Sequence, residues 1–164
     1  MAIRNIVKIG DDILRKVCRT QLNFDERLAT VLDDMADTMY KAEGVGLAAP
    51  QVGILKRYCI VDVGDGIIEL INPVIDKESG SQEGQEGCLS IPGRYEDVVR
   101  PMKVKIHAQD RNGKPFKLTA EGFKARAICH EIDHLDGILY IDRIKISRGF
   151  LNDNSFYGHP RLCG

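Results

Sequence analysis

The residues best suited to do chemistry are two histidines and a glutamate in the segment HEIDH, residues 130–134. His130 and His134 are four positions apart, so a helix would place both imidazoles on one face, one turn apart. Two imidazoles placed in this way can bind one metal ion, and Glu131 beside them can take a proton from a water molecule that the metal activates. A solvated helix face could match the motif by chance, but this motif lies in an otherwise apolar segment, where buried imidazoles need polar partners. The sequence therefore predicts a metal site on this helix.

A catalytic site of this type needs a third protein ligand and one open coordination position. The extended pattern HExxHxxG would place the third ligand of a metzincin endopeptidase at position 140, which is Tyr140. The glutamate ligand of another protease class is also missing, because no Glu follows Glu131. Cys88 is the best candidate, because it lies in the glycine-rich segment EGCLS, where the backbone can approach a site closely.

Three other kinds of metal or cysteine site fit part of this pattern. A zinc endopeptidase would use the same HExxH motif. A structural metal site would add His159 as a fourth ligand and leave no position for water. Cys88 could instead be a nucleophile that a histidine base activates, although the helical trio of His, Glu and His would then have no shared purpose.

The segment GVGLAAPQ, residues 44–51, matches the GxGxxA pattern of dinucleotide-binding turns over its first six residues. Such a turn requires a strand before it and a helix that opens within it. Here a predicted helix precedes the segment and Pro50 follows the pattern at once. The segment is therefore expected to offer backbone amides and the side-chain amide of Gln51 as hydrogen-bond donors.

Two helices are expected to frame these residues. Apolar side chains recur at helical spacing over residues 24–43, with Asn23 and Glu26 as a capping box and Gly44 as the end of the helix. A second helix over residues 121–135 carries the HEIDH segment and ends before Gly137.

Short strands are expected between the two helices, over residues 57–63 and 67–71 and in a hairpin that joins residues 104–108 to 116–118. Residues 84–93 are expected to be irregular. The sequence therefore predicts a single compact α+β domain with an antiparallel sheet and a central helix that bears the HExxH motif.

Composition and charge exclude several classes of protein. The 164 residues carry 23 basic and 24 acidic side chains, so a dominant basic face and specific DNA binding are not expected. No run of about 18 apolar residues predicts a membrane span, and the first twelve residues lack the apolar stretch of a signal peptide. The five cysteines form no CxxC pair, which favours a reducing compartment such as the cytoplasm.

Three segments, taken in order and spacing, resemble the motifs of the peptide deformylase family: GVGLAAPQ, EGCLS and HEIDHLDG. The resemblance extends from GDDILRK near the start to YIDRI after the last motif, so residues 1–146 are expected to form a deformylase-like catalytic domain. Residues 147–164 are expected to be a short C-terminal tail, because they do not resemble the long C-terminal helix of many bacterial members. Cys129 stands where the family commonly has Gln, a departure that leaves the metal ligands intact.

The resemblance implies a cytoplasmic hydrolase that removes the formyl group from formyl-methionine at the start of nascent chains. It implies one divalent metal ion per chain, Fe²⁺ in cells, with Zn²⁺, Ni²⁺ or Co²⁺ accepted by the purified protein. The implied partners are N-formylmethionyl nascent peptides and the ribosome, without a membrane.

The resemblance also assigns roles to individual residues. Cys88, His130 and His134 would bind the metal, and Glu131 would be the general acid/base. Gln51 and the backbone N–H of Leu89 would form the oxyanion hole. The cleft and its pocket for the methionine side chain would be lined by Val45, Gly46, Glu86, Phe123 and Ala127.

Overall fold

The structure, a computed structural model, describes residues 2–144 of the chain. The predicted tail, with His159 and Cys163, lies outside the described residues. Within them the chain forms two α-helices and seven strands, which confirms the predicted α+β class.

The first helix, α1, spans Glu26–Lys41, and its apolar stripe packs onto the sheet. The predicted capping box at Asn23 is wrong, because Asp25 caps the helix by accepting a hydrogen bond from the Leu28 N–H at 3.1 Å. The helix ends as the Gly44 N–H donates to the Met39 carbonyl. Glu43, with φ of 58°, takes the left-handed conformation that often ends a helix.

Five strands form one antiparallel sheet in the order β1-β2-β3-β6-β7. Their bounds are Gly46–Ala48 for β1, Tyr58–Val61 for β2, Ile68–Ser79 for β3, Lys103–Gln109 for β6 and Pro115–Glu121 for β7. The predicted hairpin is therefore confirmed as β6 and β7.

Gln82–Cys88 and Ile91–Arg100 form β4 and β5, a separate antiparallel pair. The prediction of an irregular segment at residues 84–93 is therefore wrong. The register of this pair shifts between Glu86 and Cys88, so the strand is distorted where it reaches the cysteine.

The second helix, α2, spans Gly122–Leu135 and is central, as predicted. It packs against β1, β2 and β7, and every residue from Ala125 to Leu135 is buried. Gly137 follows with φ of 72°, and a Cβ there would lie 2.5 Å from the Arg15 carbonyl oxygen, so the position requires glycine. Neither α1 nor α2 has the length and apolar character to cross a membrane.

Candidate metal centre and active site

Cys88, His130 and His134 come together although they belong to different elements. Cys88 ends β4, and the two histidines lie one turn apart on α2. One potential ligand atom from each residue lies within 4.8 Å of the other two. The Cys88 Sγ is 3.4 Å from the His134 Nε2, and the two imidazole centroids are 5.1 Å apart.

This donor set fits a transition-metal ion. One thiol sulfur and two imidazole nitrogens are the ligands that zinc, iron, cobalt and nickel accept, whereas magnesium and calcium require oxygen ligands. His130 uses its Nδ1 for the Glu86 carboxylate at 2.9 Å, which leaves the other ring nitrogen for a metal. The carboxyl oxygen Oε2 of Glu131 is buried beside this group without a hydrogen-bond partner in the described chain.

The Glu86 carboxylate is the centre of a buried network of charged groups. Arg100 donates to both of its oxygens at 2.9 Å, and Arg126 donates to Oε2 at 2.7 Å. Burial alone would raise the pKa of Glu86, but the hydrogen bonds from Arg100 and His130 hold it well below its usual range. Glu86 is therefore a charged acceptor that fixes the His130 ring.

The network continues beyond Glu86 to Asp133, which also lies on α2. Arg100 also donates to Asp133 at 2.6 Å, and Arg143 donates to both oxygens of Asp133 at 2.6 and 3.0 Å. None of these three residues was predicted to serve the site. Arg100 was the one available signal, because its neighbours in the sequence are apolar. An arginine buried among such residues must find acceptors for its hydrogen bonds.

Glu131 lies against the backbone of Gly46. A Cβ on Gly46 would lie 2.5 Å from the Glu131 Oε1, so the glycine permits β1 to approach the carboxyl group. Burial raises the pKa of Glu131 to about 7, which suits a group that accepts and returns a proton near neutral pH.

The side chain of Gln51 is oriented by hydrogen bonds on both sides of its amide. Its Oε1 accepts from the Ala48 N–H at 2.9 Å, and its Nε2 donates to the Ser90 hydroxyl at 3.1 Å. The same Nε2 lies 3.5 Å from the Cys88 Sγ. The amide nitrogen of Gln51 therefore lies between the Ser90 hydroxyl and the candidate metal site.

A cleft of about 610 Å³ opens onto this centre. Val45 and Phe123 stand at it with 41% and 56% of their surface exposed, whereas Ala127 is buried at 6%. Of the residues predicted to serve the site, all but His134 border the cleft, namely Val45, Gly46, Gln51, Glu86, Cys88, Leu89, Phe123, Ala127, His130 and Glu131. Cys129 is buried on α2 and is not part of the three-ligand group.

Comparison with known proteins gives one consistent family. The family model described as polypeptide deformylase matches residues 3–148. The peptide deformylase of Caldicellulosiruptor bescii is 56% identical over 88% of this chain and 87% of that protein, and the Clostridium botulinum peptide deformylase is 57% identical over 87% of this chain and 97% of that protein.

The solved structures agree with the sequence comparison. The crystal structure of peptide deformylase from Thermotoga maritima superposes with a TM-score of 0.88 at 40% identity and covers 89% of this chain and 100% of that one. The Synechococcus elongatus peptide deformylase in complex with actinonin gives 0.85 at 43% identity, over 88% of this chain and 80% of that one. The chain therefore belongs to the peptide deformylase family, the metal-dependent hydrolases that remove N-formyl groups from nascent polypeptides.

Proposed function

We propose that Cys88, His130 and His134 hold one divalent metal ion per chain and that Glu131 is the general acid/base of deformylation. The observation that carries this proposal is the placement of three ligand atoms within 4.8 Å of one another beside a buried carboxyl group. The soft thiolate favours a transition metal, for which we propose Fe²⁺ in cells and Zn²⁺, Ni²⁺ or Co²⁺ as alternatives in purified protein. When bound, such an ion polarises the formyl group and lowers the pKa of the attacking water.

Glu131 moves the proton in the proposed reaction. Its carboxylate takes a proton from the attacking water and returns it to the departing amine as the formyl C–N bond breaks. The products are formate and a free amino terminus. The buried position of Glu131 beside Gly46 holds the carboxyl group at the cleft, where it can reach both the water and the amine.

Gln51 and the backbone N–H of Leu89 form the proposed oxyanion hole. During the attack the formyl oxygen becomes negative, and donors that already point at it stabilise that charge without reorganising. Hydrogen bonds with Ala48 and Ser90 fix the orientation of the Gln51 amide, so its nitrogen is held beside the Cys88 sulfur before substrate arrives.

Val45, Gly46, Glu86, Phe123 and Ala127 form the proposed wall of the pocket for the first side chain. The half-exposed Phe123 and Val45 supply apolar surface at the cleft, whereas the Glu86 carboxylate is already occupied by Arg100, Arg126 and His130. We propose that Glu86 lines the pocket and supports His130, and that it does not contact a polar group of the substrate.

The remaining proposals concern organisation and place in the cell. Residues 1–146 would form the catalytic domain, since the described residues contain every predicted site residue, and residues 147–164 would be a separate tail. Because its substrates would be N-formylmethionyl peptides that emerge from the ribosome, the enzyme would act in the cytoplasm.

Release of formate from formyl-Met-Ala-Ser tests the activity, with metal analysis on protein purified without oxygen. An HExxH endopeptidase would instead cut internal bonds of peptides that carry no formyl group. Cleavage of such peptides without formate release would contradict the proposed reaction.

Replacing Gln51 by leucine should leave the metal bound and lower kcat by about 10²–10³-fold, because one oxyanion donor is lost. Steady-state kinetics on formyl-Met-Ala-Ser and metal content are the measurements. Gln21→Leu is the matched control, since within residues 2–144 the Gln21 side-chain amide bonds only to the Asn23 carbonyl, on the surface. An unchanged kcat/KM in Gln51→Leu would remove this residue from the mechanism.

Peptides that differ in the first residue should show a graded preference for unbranched apolar side chains. Each missing methylene in a pocket of this kind is worth about 1–3 kcal/mol, so formyl-Met should exceed shorter apolar residues by a moderate factor. Competition assays with peptides that carry formyl-Met, formyl-norvaline (one chain atom shorter) and formyl-Asp give the ratios of kcat/KM. Equal ratios for formyl-Met and formyl-Asp would exclude an apolar pocket formed by Val45 and Phe123.

A further inference from the structure

Residues 7–9, here called the strap, connect the two segments that carry the proposed oxyanion donors. The Val7 N–H donates to the backbone carbonyl of Gln51 at 2.7 Å. The Ile9 N–H donates to the carbonyl of Ser90 at 2.9 Å, and the Lys8 ammonium donates to the carbonyl of Leu89 at 3.2 Å. Three consecutive residues therefore bond to both sides of the oxyanion hole.

The chain before the strap is fixed to α1. The Ala2 N–H donates to the Asp34 carboxylate at 2.8 Å, and the Arg4 N–H donates to the Thr38 hydroxyl at 2.9 Å. Arg4 also forms an ion pair with Asp34 at 3.0 Å. Since Asp34 and Thr38 are both buried, these bonds hold the chain before the strap against α1.

The two segments that the strap joins belong to different parts of the fold. Gln51 lies in the 3₁₀ turn Ala49–Val52 after β1, at the edge of the five-stranded sheet. Leu89 lies in the turn between β4 and β5, which form a separate pair. The Gln51 amide reaches the Ser90 hydroxyl, but that bond by itself joins only two side chains.

An oxyanion hole demands accurate spacing between such segments. Its donors must lie about 2.7–3.1 Å from the developing oxyanion, and a displacement of about 1 Å can cost about 10²-fold in rate. Backbone hydrogen bonds from one short segment to both donor segments set their separation directly.

We infer that the strap is a positioning element of the oxyanion hole and that Val7 and Lys8 act as positioning residues through Gln51 and Leu89. This inference rests on the oxyanion roles proposed above for those two residues. Ile6 and Lys8 also border the cleft, so the strap lies close enough to the site to transmit a small displacement.

Val7→Pro tests the inference, because proline has no N–H to donate to the Gln51 carbonyl. We expect kcat to fall by about 10- to 100-fold, with KM and metal content close to those of the unaltered protein, because the lost contact matters only in the transition state. Asn5→Pro is the matched control. Asn5 is exposed, lies two residues before Val7, and its N–H makes no hydrogen bond in the described chain. This variant should keep the original kcat.

Lys8→Met provides a second variant should Val7→Pro fail to fold. Methionine keeps an apolar stem but cannot donate to the Leu89 carbonyl, so kcat should fall while KM and thermal stability stay the same. An unchanged kcat in Lys8→Met and in a folded Val7→Pro would overturn the inference.

A double-variant cycle with Gln51→Leu separates positioning from a general loss of structure. If the strap acts through Gln51, Val7→Pro should lower kcat much less in the Gln51→Leu background than alone. Equal losses in both backgrounds would show a merely structural role and refute the inference. Full activity in Gln51→Leu alone would refute the proposed oxyanion hole instead, so the two failures are distinguishable.

Discussion

Replacement of Glu131 by glutamine is expected to lower kcat by about 10²–10⁴-fold while the metal content per chain stays unchanged. Glutamine has nearly the same shape as glutamate, so it fits the space beside Gly46, but it cannot accept and return a proton. Glu131 is not one of the three candidate ligands, so its change should leave metal binding intact. Steady-state kinetics together with elemental analysis of the same preparation measure both quantities.

Glu121→Gln is the matched control for Glu131→Gln. It makes the same chemical change at an exposed carboxylate that pairs with Lys103 on the neighbouring strand. It should leave kcat and metal content as they were. Loss of metal in Glu131→Gln would contradict the assignment, because it would make Glu131 part of the metal site and not a proton carrier.

The sequence identifies the helical part of the site well, because its signal is local. His130, Glu131 and His134 are close along the chain, and α2 converts their spacing directly into a shared face. The periodicity of α1 and the turn between β6 and β7 are equally local, and both elements are found where they were expected.

Strand β4 is the part of the fold that the sequence hides. Its residues 82–87 are polar or glycine, so they show no apolar alternation from which a strand can be recognised. The strand forms because β5 pairs with it, and β5 supplies the buried Val98 and Ile91. The position of Cys88 beside α2 therefore depends on long-range pairing, and beforehand only its glycine-rich context, the lack of a suitable downstream ligand and the family resemblance pointed to it.

The network behind His130 is hidden for the same reason. Arg100 lies 14 positions from Glu86 and 33 positions from Asp133, so no spacing rule links them. Taking these charges out of water is costly, and the cost is offset only because each carboxylate receives hydrogen bonds from two guanidinium groups. A metal ligand supported in this way has little freedom to rotate, which keeps the site ready to bind an ion.

Replacement of Cys88 by alanine should release the metal and abolish turnover as a consequence. A site with three protein ligands loses one of them, and the lost thiolate is the one that carries a negative charge. The fold should survive, because Cys88 is only half-buried at the end of its strand. Elemental analysis after dialysis, with a thermal melt to confirm folding, measures the effect, and the buried Cys18→Ala is the matched control because Cys18 is a free cysteine that is not one of the three candidate ligands.

This variant also decides between the two roles that a cysteine beside histidines can play. A cysteine nucleophile would lose activity on replacement by alanine while the protein kept its metal, since the imidazoles would not depend on the thiolate for binding. A ligand loses both together, and activity cannot then be restored by metal concentrations that saturate the unaltered protein. Full metal occupancy in an inactive Cys88→Ala would therefore refute the three-ligand site. Loss of both metal and activity would support Cys88 as the ligand that the β4–β5 pair brings to α2.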